Sequence, residues 1–137
     1  MIEIGGLHVN SPLSKDVYEF LGDFRYQIRK FLRFSEAAAR NHGLTPQQHQ
    51  LILAVKGYPD RDYVTPSELA ERLQLTHHAC VGLIDRCEQI GLVTRRPNPD
   101  DGRSVLIEVT DKGLEILQTL SEIHLEEIKR IGFFKED

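Results

Sequence analysis

The sequence is short of several things, and each shortage removes a class of function. No apolar run approaches the ~20 residues that a membrane span requires, and the opening MIEIGGLHVNSPLSKD lacks the charged-then-apolar layout of a secretory signal. A cytoplasmic protein with no membrane partner is expected. There are only two cysteines, Cys80 and Cys87, seven residues apart. On one helix their Cα atoms lie ~10 Å apart, too far to bond to each other. They read as small buried hydrophobes, with a redox-active thiol as the alternative. The six histidines are scattered, and neither C-x2-C nor H-x3-H occurs, so no metal and no cofactor is expected. A Gly-rich phosphate loop, a nucleophile elbow and a paired-carboxylate constellation are all missing, which argues against an enzyme. Positive charge is scarce as well. The formal net charge is −4, whereas a nucleic-acid-binding domain is usually basic. Any such face must therefore come from segregated charge.

At 137 residues, 40% hydrophobic and 28% charged, the chain has the makeup of one ordinary globular domain. Its centre is the stretch from Thr65 to Val93, TPSELAERLQLTHHACVGLIDRCEQIGLV. Thr65 is placed to cap a helix, with Pro66 at its first position and Glu68 closing a capping box. Leu69, Leu73 and Leu75 form a short apolar face. Thr76 offers a second cap. Beyond it Cys80, Leu83, Ile84, Cys87 and Ile90 recur at helical spacing until Gly91, a natural stop. The other side of this second helix carries His77, His78, Val81, Gly82, Asp85 and Arg86, with no large apolar residue. A helix with a core-facing back and a small, polar, capped front is built like a recognition helix for the DNA major groove.

A predicted wing comes next in the chain. Val93 begins a short strand, Pro97 to Gly102 is rich in turn residues, and Ser104 to Val109 alternates as a half-buried strand does. The order is helix, turn, helix, then a β-hairpin tipped by Asp100, Asp101 and Arg103.

The runs SELAERL, IDRCEQIGLVTRR and DDGRSVLIEVT, in that order and spacing, resemble the winged helix–turn–helix of the MarR family of bacterial transcription regulators. The D-x-R of Asp101-Gly102-Arg103 is the most diagnostic piece. The resemblance implies a mainly α fold with a small β-hairpin wing. It places dimerisation helices at residues 11–43 and 111–134 and the DNA-binding lobe at residues 45–110, all within one domain of residues 1–137. It also implies DNA contacts by Thr76, His77, His78, Val81, Gly82, Arg86, Arg95, Arg96, Asp101 and Arg103. Thr76 would meet a phosphate at a helix N-terminus, and His77, His78 and Val81 would face base edges. Arg86, Arg95 and Arg96 would clamp phosphates. Arg103 would enter the minor groove with Asp101 holding its guanidinium in line. Gly82 departs from the family, which often has a polar or basic residue there.

Outside the lobe, Met1 to Asn10 shows no clear periodicity and reads as a flexible lead or short arm. A long helix from about Leu13 to His42 carries the apolar stripe Val17, Phe20, Leu21, Phe24, Ile28, Phe31, Leu32, Ala38 and Ala39. At ~45 Å it is too long to be buried against one small lobe, and a second copy of the chain is its natural cover. Arg25, Arg29, Arg33 and Arg40 on the same helix read first as a solvated face. The competing reading is an effector pocket for an anionic or phenolic small molecule, with Tyr26 and Arg29 and with His42 and His49 as the histidines that could join it. Thr45 to Gly57 reads as a short capped helix, Tyr58 to Val64 as loop. A last helix from Thr110 or Asp111 carries Leu114, Leu117, Leu120, Ile123 or His124, Ile128 and Ile131 as its apolar stripe. Phe133 and Phe134 stand where the family often adds another helix.

Three function classes remain. The favoured one is a homodimeric regulator, a repressor on a pseudo-palindromic operator in double-stranded DNA, released by a small effector. The alternative is a winged-helix protein–protein module that does not bind DNA, which the acidic balance and Gly82 favour slightly. An enzyme comes last.

Overall fold

The computed structural model describes residues 12–132 in full and, before them, the strands at residues 2–4 and 7–9. The chain divides into two compact units, residues 1–36 and 37–137.

The first unit holds a two-stranded hairpin, β1 (Ile2–Ile4) with β2 (Leu7–Val9), in antiparallel register Ile2↔Val9 and Ile4↔Leu7. This corrects the reading of Met1 to Asn10 as a flexible lead and is compatible with the other reading, a short arm. Gly5-Gly6, the dipeptide between the two strands, is itself a hairpin signal. The unit also contains most of α1 (Lys15–Asn41), about 40 Å of helix at 1.5 Å per residue. Val17 is buried, but Tyr18, Phe20, Leu21, Phe24, Tyr26, Ile28 and Leu32 are all at least 38% exposed. The rings of Phe20 and Phe24 stack at 6.4 Å.

The second unit is a winged lobe. Its elements are the end of α1, then α2 (Pro46–Lys56), β3 (Tyr63–Val64), α3 (Pro66–Leu73), α4 (His77–Gln89), β4 (Val93–Pro97), β5 (Val105–Val109) and α5 (Asp111–Ile131). The predicted caps are in place. Thr45 with Gln48, and Thr65 with Glu68, form reciprocal capping boxes at α2 and α3, each with proline at the first position. The sheet order is β3-β5-β4. Pairing of Val93 with Val109 and of Pro97 with Val105 fixes the wing register. β3 corrects the expectation of loop up to Val64. Tyr63 and Val64 pair with Glu108 and Ile107, a strand too short to show periodicity in sequence. The core is continuous: Ala39, Leu51, Ile52, Val55, Val64, Leu69, Cys80, Ile84, Cys87 and Ile107 are fully enclosed, together with Leu120 from α5. Ile90, expected on the buried stripe of α4, is 40% exposed, because the helix ends there. Gly91 (φ 80°) turns the chain away, with Leu92 N–H donating to Cys87 O at 2.9 Å and Gly91 N–H to Glu88 O at 3.0 Å. Phe133 and Phe134 lie outside the described residues.

Candidate nucleic-acid interface

Two turns aim α4. At the first, Gln74 takes the left-handed conformation (φ 55°) that ends α3, and Leu75 N–H donates to Ala70 O at 2.9 Å. A non-glycine residue there costs ~1 kcal/mol. Its side-chain amide compensates locally by donating to Glu71 O at 2.8 Å. At the second, Thr76 caps α4, its Oγ1 accepting from Ala79 N–H at 3.1 Å. The N–H groups of His77 and His78 in the first turn then have no acceptor within the helix, the arrangement that receives a phosphate oxygen.

The two sides of α4 differ as the sequence predicts. Cys80, Leu83, Ile84 and Cys87 are buried, whereas His77, His78, Ala79, Asp85 and Arg86 are exposed and Val81 and Gly82 are half-buried. Burial pushes the Cys80 thiol up and the Cys87 thiol up to about 11. Both stay protonated at neutral pH, the state of a packed thiol and not of a reactive one.

The arginines divide into two groups. Arg95, on β4, bridges to two carboxylates of α4, with Nη2 2.6 Å from Asp85 and Nη1 2.7 Å from Glu88. Its own N–H donates to Glu88 as well, at 3.3 Å. Arg96 pairs with Glu108 and lies 5.1 Å over the Tyr63 ring. The expectation that both are phosphate clamps therefore meets a different placement: in this structure their charge is matched inside the lobe, bracing the wing. Arg86 and Arg103 have no ion pair among the described residues. If Arg95 is a brace, Arg95→Ala lowers stability by about 1 kcal/mol and leaves the salt dependence of DNA binding unchanged, which paired melting and binding titrations will read.

Sequence reasoning missed the alternation that continues this brace. Arg72 lies 5.3 Å over Tyr58, Arg61 lies 4.6 Å over Tyr58 and 5.4 Å over Tyr63, and Arg96 closes the series on Tyr63. Glu68 accepts from the Tyr58 hydroxyl at 3.1 Å and from Arg61, while its other oxygen caps α3 at Thr65 N–H. The series ties α3 to the wing through the loop after α2. Residues that far apart in the chain leave no spacing signal to find them by.

At the wing tip, Asp101 Oδ1 accepts the backbone N–H of Arg103 at 3.0 Å, and Asn98 Oδ1 accepts that of Asp100 at 3.0 Å. In this structure Asp101 meets Arg103 at its backbone N–H and shapes the turn, and the Arg103 side chain is exposed.

Known proteins share this lobe. Residues 42–104 match the MarR family. The HTH-type transcriptional regulator PecS of Dickeya dadantii is 33% identical over 63 residues, 46% of this chain and 38% of PecS. The uncharacterized HTH-type transcriptional regulator YkoM of Bacillus subtilis is 30% identical over 121 residues, covering 85% of this chain and 75% of YkoM. The chain belongs to the MarR family of DNA-binding transcription regulators. Among solved MarR structures, a cysteine-to-serine mutant from Escherichia coli complexed with operator DNA aligns with a TM-score of 0.63 and 26% identity, over 74% of this chain and 71% of that one.

Two local features of the lobe stand out. The first is Gly82 at the middle of the recognition-helix front. The second is His49 of α2, 3% exposed, its ring 5.0 Å from that of His124 on α5. Of the residues considered for an effector pocket, Tyr26 and Arg29 line one surface depression of α1 with Lys30 and Arg33. His42 turns its Nδ1 to Ala38 O at 2.9 Å, and His49 is a core residue of the lobe. Burial, helped by the neighbouring His124, lowers the His49 pKa to about 4. The unfolded chain, with an ordinary histidine near pH 6.5, then binds the proton more readily than the folded one. Stability from this group is fully present above pH 6.5 and drains away as pH falls toward 4, by about 3 kcal/mol in all. His49→Leu is expected to flatten that part of the acid-unfolding curve, measured as the difference from wild type in melting temperature against pH.

Proposed function

We propose that the chain works as a homodimer whose two α4 helices read the halves of a pseudo-palindromic operator in successive major grooves. Each wing then lays Arg103 in the flanking minor groove. The observation that carries this reading is α4 itself: an N-capped helix, locked from behind by a closed core, whose front offers imidazoles, a valine and a glycine in place of a greasy stripe. The apolar side of α1 in the first unit is a surface that a second copy would cover, since a stacked Phe20/Phe24 pair in water is costly to leave open; the exposed Leu125 and Ile131 of α5 are, in the second unit, further candidates for such cover. Operator binding by the MarR homologue of E. coli supports the same assignment. The regulator acts as a cytoplasmic repressor. An anionic or phenolic effector would dock at the Tyr26/Arg29 depression, where three further charged side chains line the wall, and alter the separation of the two reading helices.

Selection of bound sequences from random duplexes, followed by fluorescence titration over a range of salt, tests this. A pseudo-palindrome should be enriched. With Arg86 and Arg103 the cations of each contact face that have no ion pair among the described residues, log K should fall with log salt only shallowly, no more steeply than roughly −4 for the dimer. Failure to retain any duplex in dilute buffer would instead favour a winged-helix module that engages protein.

A further inference from the structure

Gly82 need not be a lost contact. The position a Cβ would take on Gly82 lies 3.5 Å from Arg86 Nη1. Arg86 therefore does not splay away from the helix. It folds back one turn, toward the N-terminus, and its guanidinium lies beside the bare backbone of Gly82. Helical side chains lean this way because the Cα–Cβ bond tilts toward the N-terminus. The direction matters for reading DNA. In a helix–turn–helix the N-terminal part of the second helix meets the base edges, and Arg86 sits in the last turn of α4, where a side chain extended outward would reach only the backbone. Leaning over Gly82 carries its charged end ~5 Å closer to the reading end, one helical turn. Its neighbours do not hold it elsewhere: Asp85 is engaged by Arg95, as is Glu88.

We infer that Arg86, seated in the slot left by Gly82, is a base-reading residue that selects guanine in each half-site and is not a sequence-neutral phosphate clamp. Guanine is the base with two acceptors, O6 and N7, spaced for the guanidinium fork. Gly82 acts as a positioning residue by having no side chain. The inference rests on the proposed DNA-reading function and names the arginine that gives it specificity.

Two variants address the slot from opposite sides. Arg86→Lys keeps the charge and loses the fork. Gly82→Leu keeps Arg86 and fills the slot, whereas Gly82→Ala adds only a methyl at ordinary contact distance and serves as the control. Sequence selection is run on each with the full-length protein, and affinities are measured for the wild-type operator and for duplexes with the selected guanine replaced. Wild type is expected to favour guanine by roughly 10- to 100-fold at one position per half-site. Arg86→Lys and Gly82→Leu should both flatten preference at that same position while their salt slopes match wild type. Gly82→Ala should retain the preference. Unchanged preference in Arg86→Lys and Gly82→Leu, alongside a normal wild-type operator, overturns the inference alone. A wild-type protein that selects no sequence overturns the DNA-reading function and this inference with it. Circular-dichroism melting of each variant shows that the lobe is folded in every comparison.

Discussion

Gly113→Ala is expected to lower the unfolding free energy by about 3 kcal/mol, the upper range for forcing extra volume into a packed site. In melting experiments that corresponds to a shift of about 10 °C for a chain of this size. The reason is a junction where three elements meet. Thr110 caps α5 by accepting from Gly113 N–H at 3.1 Å, while its own N–H donates to Leu92 O at 3.0 Å and its hydroxyl donates to Gly91 O. This places the first turn of α5 directly against the end of α4. A Cβ on Gly113 would overlap Leu92 O and lie 2.8 Å from Val109 Cγ1. The first neighbour is backbone, fixed by the turn at Gly91, so the clash cannot be relieved by a side-chain rotation. Either α5 lifts or the wing shifts. An alanine variant that melts with wild type would mean that this junction is looser than these distances require.

Arg103→Ala has the larger functional consequence. At about 1–3 kcal/mol for each arginine contact with base edges, two wings on one duplex make a loss of roughly a hundredfold or more in operator affinity. Melting should hardly change, within about ±0.5 kcal/mol, since the side chain is exposed and takes no part in an ion pair among the described residues. Asp101→Ala should weaken binding less, because in this structure Asp101 meets Arg103 through its backbone N–H. Equal affinity of Arg103→Ala and wild type, measured by anisotropy on the same duplex, would remove the wing from the contact surface.

Local chemistry made the lobe legible in sequence. Threonine caps with proline and glutamate or glutamine at fixed offsets, a glycine stop at Gly91 and the alternation of VLIEV are all short-range signals, and each marks an element that the structure contains. β3 was not legible, because two residues cannot display a period, and its identity depends on pairing with a strand over forty residues away. The N-terminal hairpin did carry a signal, though a faint one: Gly5-Gly6 stands between two three-residue strands of alternating character. The charge economy of the interface was hidden for a different reason. Arg86, Arg95, Arg96 and Arg103 look alike in sequence. Which of them is matched by Asp85, Glu88 or Glu108 depends on how β4 crosses α4 and pairs with β5. The structure thus narrows a basic patch of four residues to two unpaired cations, and it turns the unfavourable net charge into a statement about position.

The most direct test of a paired reading head varies the distance between half-sites of the selected operator. Two α4 helices held by one dimer must meet grooves about 34 Å apart on the same side of the duplex. Inserting about five base pairs at the centre, half a helical turn, places the second half-site on the opposite face. Affinity is then predicted to drop to the level of a single half-site, with two protomers still sedimenting together in the absence of DNA. Unchanged affinity for the lengthened operator would contradict the paired arrangement.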